Sequence, residues 1–176
     1  AGQGPPTLDD KLNTLTEFSA ECAMAKVFTS EAYNELADEA LQVFGGYGFS
    51  EEYAPARMYR DSRITRIYEG TNEICRLYAQ RAMLRRAWKG SLDFDGAIEA
   101  LAAESPDRDM DHYDPVIMNW GFEPIASGIR DLKKIYFYLV RAVSEGVERD
   151  RMFDADNQQY MASLADVAIE IFGAES

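Results

Sequence analysis

The chain has 176 residues, 47% of them hydrophobic, enough to bury the core of one domain or two small ones. Its 31 acidic against 18 basic residues give a net charge of −13, and a surface this acidic is repelled by nucleic acid and by anionic lipid head groups. No apolar run of about 18 residues is present to span a bilayer as a helix. Ala1 to Pro6 lacks the basic and apolar parts of a secretory signal, and the missing Met points to a processed, truncated or engineered start.

Thr7 follows Pro5-Pro6 and predicts a helix N-cap, with Asp9 and Asp10 placed where the helix dipole favours them. Apolar residues then recur at helical spacing: Leu8, Leu12, Leu15, Cys22, Phe28, Ala32, Leu36, Ala40 and Val43. No Gly or Pro interrupts before Gly45, so the pattern predicts one helix of roughly 35 residues, about 50 Å long. Such a helix needs partner helices of similar length. Gly45-Gly46-Tyr47-Gly48 ends it. Tyr53-Ala54-Pro55 reads as a turn, and residues 56–67 as a short helix with Arg57, Arg60, Arg63 and Arg66 on a solvated or salt-bridged face. Glu69-Gly70 breaks that helix. Thr71 caps the next one, which carries Ile74, Leu77, Tyr78, Ala82 and Met83 and ends near Trp88. Cys22 and Cys75 fall inside helical patterns and read as buried, reduced thiols of a reducing compartment.

Beyond Gly90 the pattern predicts a short helix over Phe94–Ala103, an acidic loop over 105–115 and two amphipathic helices. The first, Ile125–Val147, stacks Ile129, Leu132, Ile135, Tyr136, Leu139 and Val143 on one face; the second, Gln158–Phe172, stacks Met161, Leu164, Val167, Ala168 and Ile171. No segment alternates with period two for long, so the fold class is all-α: a helical bundle followed by a second helical segment. Residues 1–90 hold 11 basic and 13 acidic residues, whereas residues 91–176 hold 7 and 18. That shift at Lys89-Gly90-Ser91 divides the chain into domains 1–90 and 91–176.

Two clusters carry candidate chemistry. The Gly45, Gly46, Gly48 cluster lacks the Gly-Lys-Ser/Thr of a Walker A loop, and it ends a helix where a dinucleotide fingerprint would follow a strand. It is a C-cap and turn, or else bare backbone that a bulky ligand can approach, with the Gln42 amide one turn earlier. Glu69 is part of the next helix's cap or a general base; in a mainly apolar pocket its pKa would be raised by desolvation. His112 lies among Asp109, Asp111 and Asp114, which read as a solvated acidic loop, and no metal is expected.

Taken together, the clusters resemble the acyl-CoA dehydrogenase family. The family's C-terminal helical domain carries a Gln-x-x-Gly-Gly-x-Gly-Phe turn, here Gln42 to Phe49. It then carries Arg-Asp-x-x-Ile-x-x-Ile-Tyr-Glu-Gly-Thr-x-x-Ile, here Arg60-Asp61, Ile64, Ile67-Tyr68-Glu69-Gly70-Thr71 and Ile74. Ala23 to Lys26 and Ser30 to Ala32 also look like the family's long helix, and the match covers roughly residues 10–90.

The resemblance implies that Glu69 removes the α-proton of a fatty acyl-CoA while FAD takes the β-hydrogen as hydride, leaving a trans-2-enoyl-CoA. The Glu69 N–H would polarise the thioester carbonyl. Tyr68 would line the acyl pocket, and Gly70 would let substrate lie against the turn. Thr71 and Glu73 would contact FAD, and Gln42, Gly45 and Gly46 the FAD of a neighbouring subunit, which implies a homo-oligomer (dimer or tetramer). An electron-transferring flavoprotein would accept the electrons, in the cytoplasm or, in a eukaryote, the mitochondrial matrix. Lacking a strand-rich middle domain, the chain reads as a C-terminal fragment, predicted inactive alone. Residues 91–176 are similar to the additional helical domain of the long- and very-long-chain branch, where that region is linked to membranes; the acidic balance here argues against a purely electrostatic membrane contact. An acyl-CoA oxidase keeps an equivalent base and is an alternative. The other is a non-enzymatic oligomerisation or interaction module whose uncovered apolar faces self-associate.

Overall fold

The computed structural model describes residues 7–103, 123–149 and 151–175, and every regular element among them is helical. In chain order these are α1 (Leu8–Glu17), α2 (Ser19–Phe44), α3 (Gly46–Phe49), α4 (Ala54–Thr65), α5 (Asn72–Trp88), α6 (Phe94–Ala103), α7 (Glu123–Gly146) and α8 (Gln158–Glu175). A 3-10 turn at Ala155–Asn157 precedes α8. The protein is all-α. His112 and the predicted acidic loop lie outside the described residues. The chain divides into two compact units, one up to Ala82 and the other from Met83.

In the first unit the N-terminus is capped as its composition predicts. The Asp10 N–H donates to the Thr7 hydroxyl, and the Asp10 carboxylate accepts from the Thr7 N–H at 2.9 Å, a reciprocal capping box. The single long helix is corrected by the structure: it breaks at Phe18 (φ −93°, ψ 12°) into α1 and α2. The hydroxyls of Thr14 and Thr16 donate to the carbonyls of Asp10 and Leu12, both at 2.9 Å, and Ser19 donates to Thr16 at 2.8 Å. Such local side-chain bonds compete with the helical ladder and bend it. Periodicity alone does not register them. The apolar stripe of α1 is also not buried: Leu8, Leu12 and Leu15 are 72%, 51% and 69% exposed.

Helix α2 supplies the core of this unit through Ala20, Met24, Val27, Ser30 and Ala37. It packs mainly on α4, whose Pro55, Ala56 and Ser62 are buried. The predicted turn at Tyr53-Ala54-Pro55 is a helix start instead, because Pro fits the first helical turn, where its missing N–H would find no partner anyway. Gly45 ends α2 at φ 58° and ψ −141°, donating its N–H to the Gln42 carbonyl at 3.0 Å. A side chain at Gly48 would meet the Leu41 carbonyl oxygen at 2.5 Å, so only glycine lets the α3 turn fold back on α2. Gly46 is different, with nothing within 4 Å of where a Cβ would stand.

The second unit starts with the last turns of α5 and is built on α7 packed against α8, with α6 on α7. Asp93 caps α6 by accepting from the Gly96 N–H at 2.8 Å. The α7 face matches the predicted stack only in part. Tyr136 is buried as predicted, and Val140 with it, whereas Leu132, Ile135 and Leu139 are 40%, 51% and 44% exposed. The helix thus turns its Tyr136–Val140 ridge inward, and the Tyr136 hydroxyl donates to the Met83 sulfur at 3.7 Å. Helix α8 buries Met161, Leu164, Ala168 and Ile171 as predicted, with Ala165 and Ile169 added. Full burial of an aliphatic side chain such as Leu84 or Leu164 contributes about 1.5–3 kcal/mol. Trp88 and Phe153 pack edge-tilted at 5.6 Å, with the Arg149 guanidinium over Trp88 and that of Arg85 over Phe153.

Candidate functional site

The segment between α4 and α5 forms a tight turn around Glu69. The Ile67 and Tyr68 N–H groups still donate to the Ile64 carbonyl, and the Asn72 N–H closes the turn onto the Arg66 carbonyl at 3.1 Å. Between them, Glu69 is the only described non-glycine residue with positive φ, at 55°, and Gly70 follows at 89°. A left-handed conformation costs a residue with a side chain about 1–2 kcal/mol, so the surrounding structure must hold it there. The N–H groups of Glu69, Gly70 and Thr71 have no acceptor among the described residues. Thr71 then caps α5 as predicted: the Ile74 N–H donates to its hydroxyl at 3.3 Å.

A polar network from α2 holds this turn. The Lys26 ammonium donates to the Gly70 carbonyl at 2.8 Å and to the Asn72 amide oxygen at 2.6 Å. Asn72 is fully buried, and its amide nitrogen donates to the Ser30 hydroxyl at 2.9 Å and the Glu31 carboxylate at 3.0 Å. Glu31 also receives a two-pronged bond from Arg76, at 3.0 and 2.8 Å, with Arg66 at 3.6 Å. Asn34 joins α4, donating to Ser62 at 3.0 Å and accepting from Arg66 at 3.3 Å. These residues were not singled out as site residues from the sequence. The available signal was that Lys26, Ser30 and Asn34 recur every four positions on a helix whose neighbouring Met24, Val27 and Ala37 are buried.

Burial opposes ionisation of Glu31, but the bonds from Arg76 and Asn72 and the charges of Arg76 and Arg66 prevail, so its carboxyl is held below the ordinary 4.5. A lowered carboxyl stabilises the fold above its unfolded value and loses that contribution as the pH falls through the folded one. The stability lost in Arg76→Met, read by urea unfolding, is therefore full above pH 4.5 and shrinks in more acid solution. A deficit that stays constant with pH would show that Glu31 is not the group Arg76 serves. The exposed Glu73 carboxyl is also lowered, chiefly by its own backbone N–H and then by the Thr71 hydroxyl.

The predicted site residues fall into two groups. Tyr68, Glu69, Gly70, Thr71 and Glu73 share the turn and the start of α5. Glu69 is exposed rather than enclosed by apolar side chains of this chain, and Tyr68 is 52% exposed. Gln42, Gly45 and Gly46 are exposed at the other end of α2. Positions 26 to 42 of that helix rise about 24 Å, so the glycine cluster stands far from the Lys26–Gly70 contact. The four arginines predicted on one helix divide as well: Arg60 pairs with Glu51 at 2.9 Å and Arg66, just past the end of α4, faces the network, while Arg57 and Arg63 are exposed. The reading of both cysteines as buried is corrected. Cys22 is exposed, and Cys75 is partly exposed with its sulfur 3.7 Å from the Gly70 carbonyl, because both stand on helix faces that this chain does not cover.

Residues 7–84 match the family model described as acyl-CoA dehydrogenase, C-terminal domain. A probable acyl-CoA dehydrogenase of Bacillus subtilis is 33% identical over 171 residues, 93% of this chain and 26% of that protein. The human mitochondrial very long-chain specific acyl-CoA dehydrogenase is 49% identical over 63 residues, 36% of this chain and 10% of that protein. A crystal structure of an acyl-CoA dehydrogenase complexed with FAD from Bacillus anthracis superposes with a TM-score of 0.70 at 32% identity, covering 87% of this chain and 25% of that one. The chain thus spans about a quarter of the relative it matches along most of its own length. The glycine turn and the Glu69 turn both lie inside residues 7–84, and this part of the chain belongs to the acyl-CoA dehydrogenase family as its C-terminal helical domain.

Proposed function

We propose that the chain carries the base-bearing segment of an FAD-dependent acyl-CoA dehydrogenase that oxidises a fatty acyl-CoA to the trans-2-enoyl-CoA. The observation that carries this reading is an exposed carboxylate, Glu69, held at φ 55° beside backbone N–H groups that no atom of the described chain accepts from. Glu69 takes the α-proton of the thioester. Its own N–H donates to the thioester carbonyl, so that negative charge developing on that oxygen is met as the proton leaves. Gly70, without a side chain, leaves room for substrate along the turn, and the exposed Tyr68 ring borders the acyl chain.

The residues present fit FAD. At Gly46 the backbone conformation and packing of this chain do not require glycine, and a Cβ there would stand in open space beside the exposed Gln42 amide. Gln42, Gly45 and Gly46 would hold one FAD, and Thr71 and Glu73 another. Their separation along α2 supports a homo-oligomer in which each flavin is shared between subunits. FAD supplies the acceptor for the β-hydrogen as hydride. An electron-transferring flavoprotein is assigned as the onward acceptor. The two free thiols accord with a reducing compartment, the cytoplasm or mitochondrial matrix. Residues 1–90 would form the catalytic-domain segment, and the acidic residues 91–176 an additional helical domain of the long- to very-long-chain kind. The reading is tested by Glu69→Gln in the parent enzyme, which abolishes reduction of bound flavin by acyl-CoA; near-normal reduction would move the base elsewhere.

The exposed Leu8, Leu12, Leu15, Leu36 and Val43 favour a second reading for the chain on its own, a helical module that self-associates. Sedimentation of this chain at two concentrations is expected to show concentration-dependent oligomers. A clean monomer at both excludes that reading.

A further inference from the structure

One backbone bond closes the Glu69 turn, from the Asn72 N–H to the Arg66 carbonyl, but within it the N–H groups of Glu69, Gly70 and Thr71 have no acceptor among the described residues, and two successive residues sit in the left-handed region, one of them bearing a side chain. The carbonyl of Gly70 instead accepts from a side chain 44 positions earlier, the Lys26 ammonium at 2.8 Å, which also grips the buried Asn72 amide at 2.6 Å. Asn72 is in turn bonded to Glu31, so its neutral amide joins the Lys26 ammonium to a carboxylate that Arg76 and Arg66 also face. Lys26 projects from α2 between Met24 and Val27, which are packed in the core.

We propose that Lys26 is a positioning residue for the Glu69 carboxylate: by clamping the Gly70 carbonyl to the Asn72 amide it fixes the left-handed turn that aims the base. The assignment rests on Glu69 being the base, but the clamp itself has a readout that does not. Cys75 lies under the same turn, 3.7 Å from the Gly70 carbonyl, and Cys22 is the chain's other cysteine. In a Cys22→Ser background, the rate at which dithionitrobenzoate modifies Cys75 therefore reports opening of the turn, with no cofactor needed.

The experiment compares Lys26→Met with Lys26→Arg. In the parent enzyme loaded with FAD, Lys26→Met is expected to lower kcat roughly 10- to 100-fold with KM changed about twofold or less, since a base misplaced by about 1 Å loses rate and not substrate binding. Lys26→Arg, which keeps charge and donors, is expected to recover most of that loss. In this chain alone, Cys75 modification is expected to speed up about 5-fold or more in Lys26→Met and to stay near wild type in Lys26→Arg. A kcat and a Cys75 rate both within about twofold of wild type in Lys26→Met would overturn the clamp, as would equal losses in Met and Arg with an unchanged Cys75 rate. Should Lys26→Met unfold, Lys26→Gln keeps a donor amide and carries the same two readouts. If Glu69→Gln retains flavin reduction, the base assignment fails, whereas the Cys75 rate still decides whether Lys26 holds the turn.

Discussion

Replacement of Glu69 by Gln in the parent enzyme lowers the rate of flavin reduction by acyl-CoA by about 10²- to 10⁴-fold, the range a positioned base contributes to proton transfer. Gln keeps the length of the side chain and the backbone N–H proposed to face the thioester, so the substitution removes the proposed proton acceptor and little else. Proton acceptance is used in the transition state and not in the bound ground state, so kcat and kcat/KM fall together while KM stays close to wild type. Glu69 makes no side-chain hydrogen bond or ion pair among the described residues, and urea unfolding of the variant should match wild type. Rapid-mixing absorbance of the bound flavin reads the first effect. A variant that binds substrate poorly but reduces flavin at a normal rate would make Glu69 a binding residue.

Asn72→Leu is expected to destabilise this chain by about 3 kcal/mol or more, the largest stability loss of any single change near the site. Asn72 is fully buried, and its amide meets Lys26, Ser30 and Glu31 at once. Leucine has the same branched arrangement of side-chain heavy atoms but is bulkier and apolar, so it leaves an ammonium, a hydroxyl and a carboxylate short of partners, and a hydrogen bond to a charged group contributes about 1.5–3 kcal/mol. The loss should appear in urea as a lower midpoint with an unchanged slope. A loss within about 0.5 kcal/mol would show that water takes over the three partners and that the network is peripheral.

The legible parts of this chain were local ones. The Thr7–Asp10 capping box, the Thr71 cap on α5, the glycine stop at Gly45 and the α8 core positions all follow from residues within one or two turns of one another, where spacing translates directly into geometry. The break at Phe18 was missed because apolar spacing does not register the Thr14, Thr16 and Ser19 bonds to the backbone. On α7 the burial of Tyr136 was legible, but Leu132, Ile135 and Leu139 were placed inward and Val140 was not, because all four are apolar. Which of two apolar ridges is buried depends on where α8 packs.

The same division runs through the site. Helical periodicity on both sides of Tyr68-Glu69-Gly70-Thr71 predicts a turn between two helices with a lone carboxylate on it, and its spacing from Gln42–Phe49 carries the family resemblance. Composition and order along the chain are sufficient for that, because turn and cap chemistry act between neighbours. The left-handed setting of Glu69, and the Lys26, Asn72, Glu31 and Arg76 contacts that hold it, arise only when α2 packs on α4 and lies beside the start of α5. A lysine and a carbonyl 44 positions apart have no periodic relation in one dimension; their hydrogen bond exists because the hydrophobic core of α2 brings them within 2.8 Å.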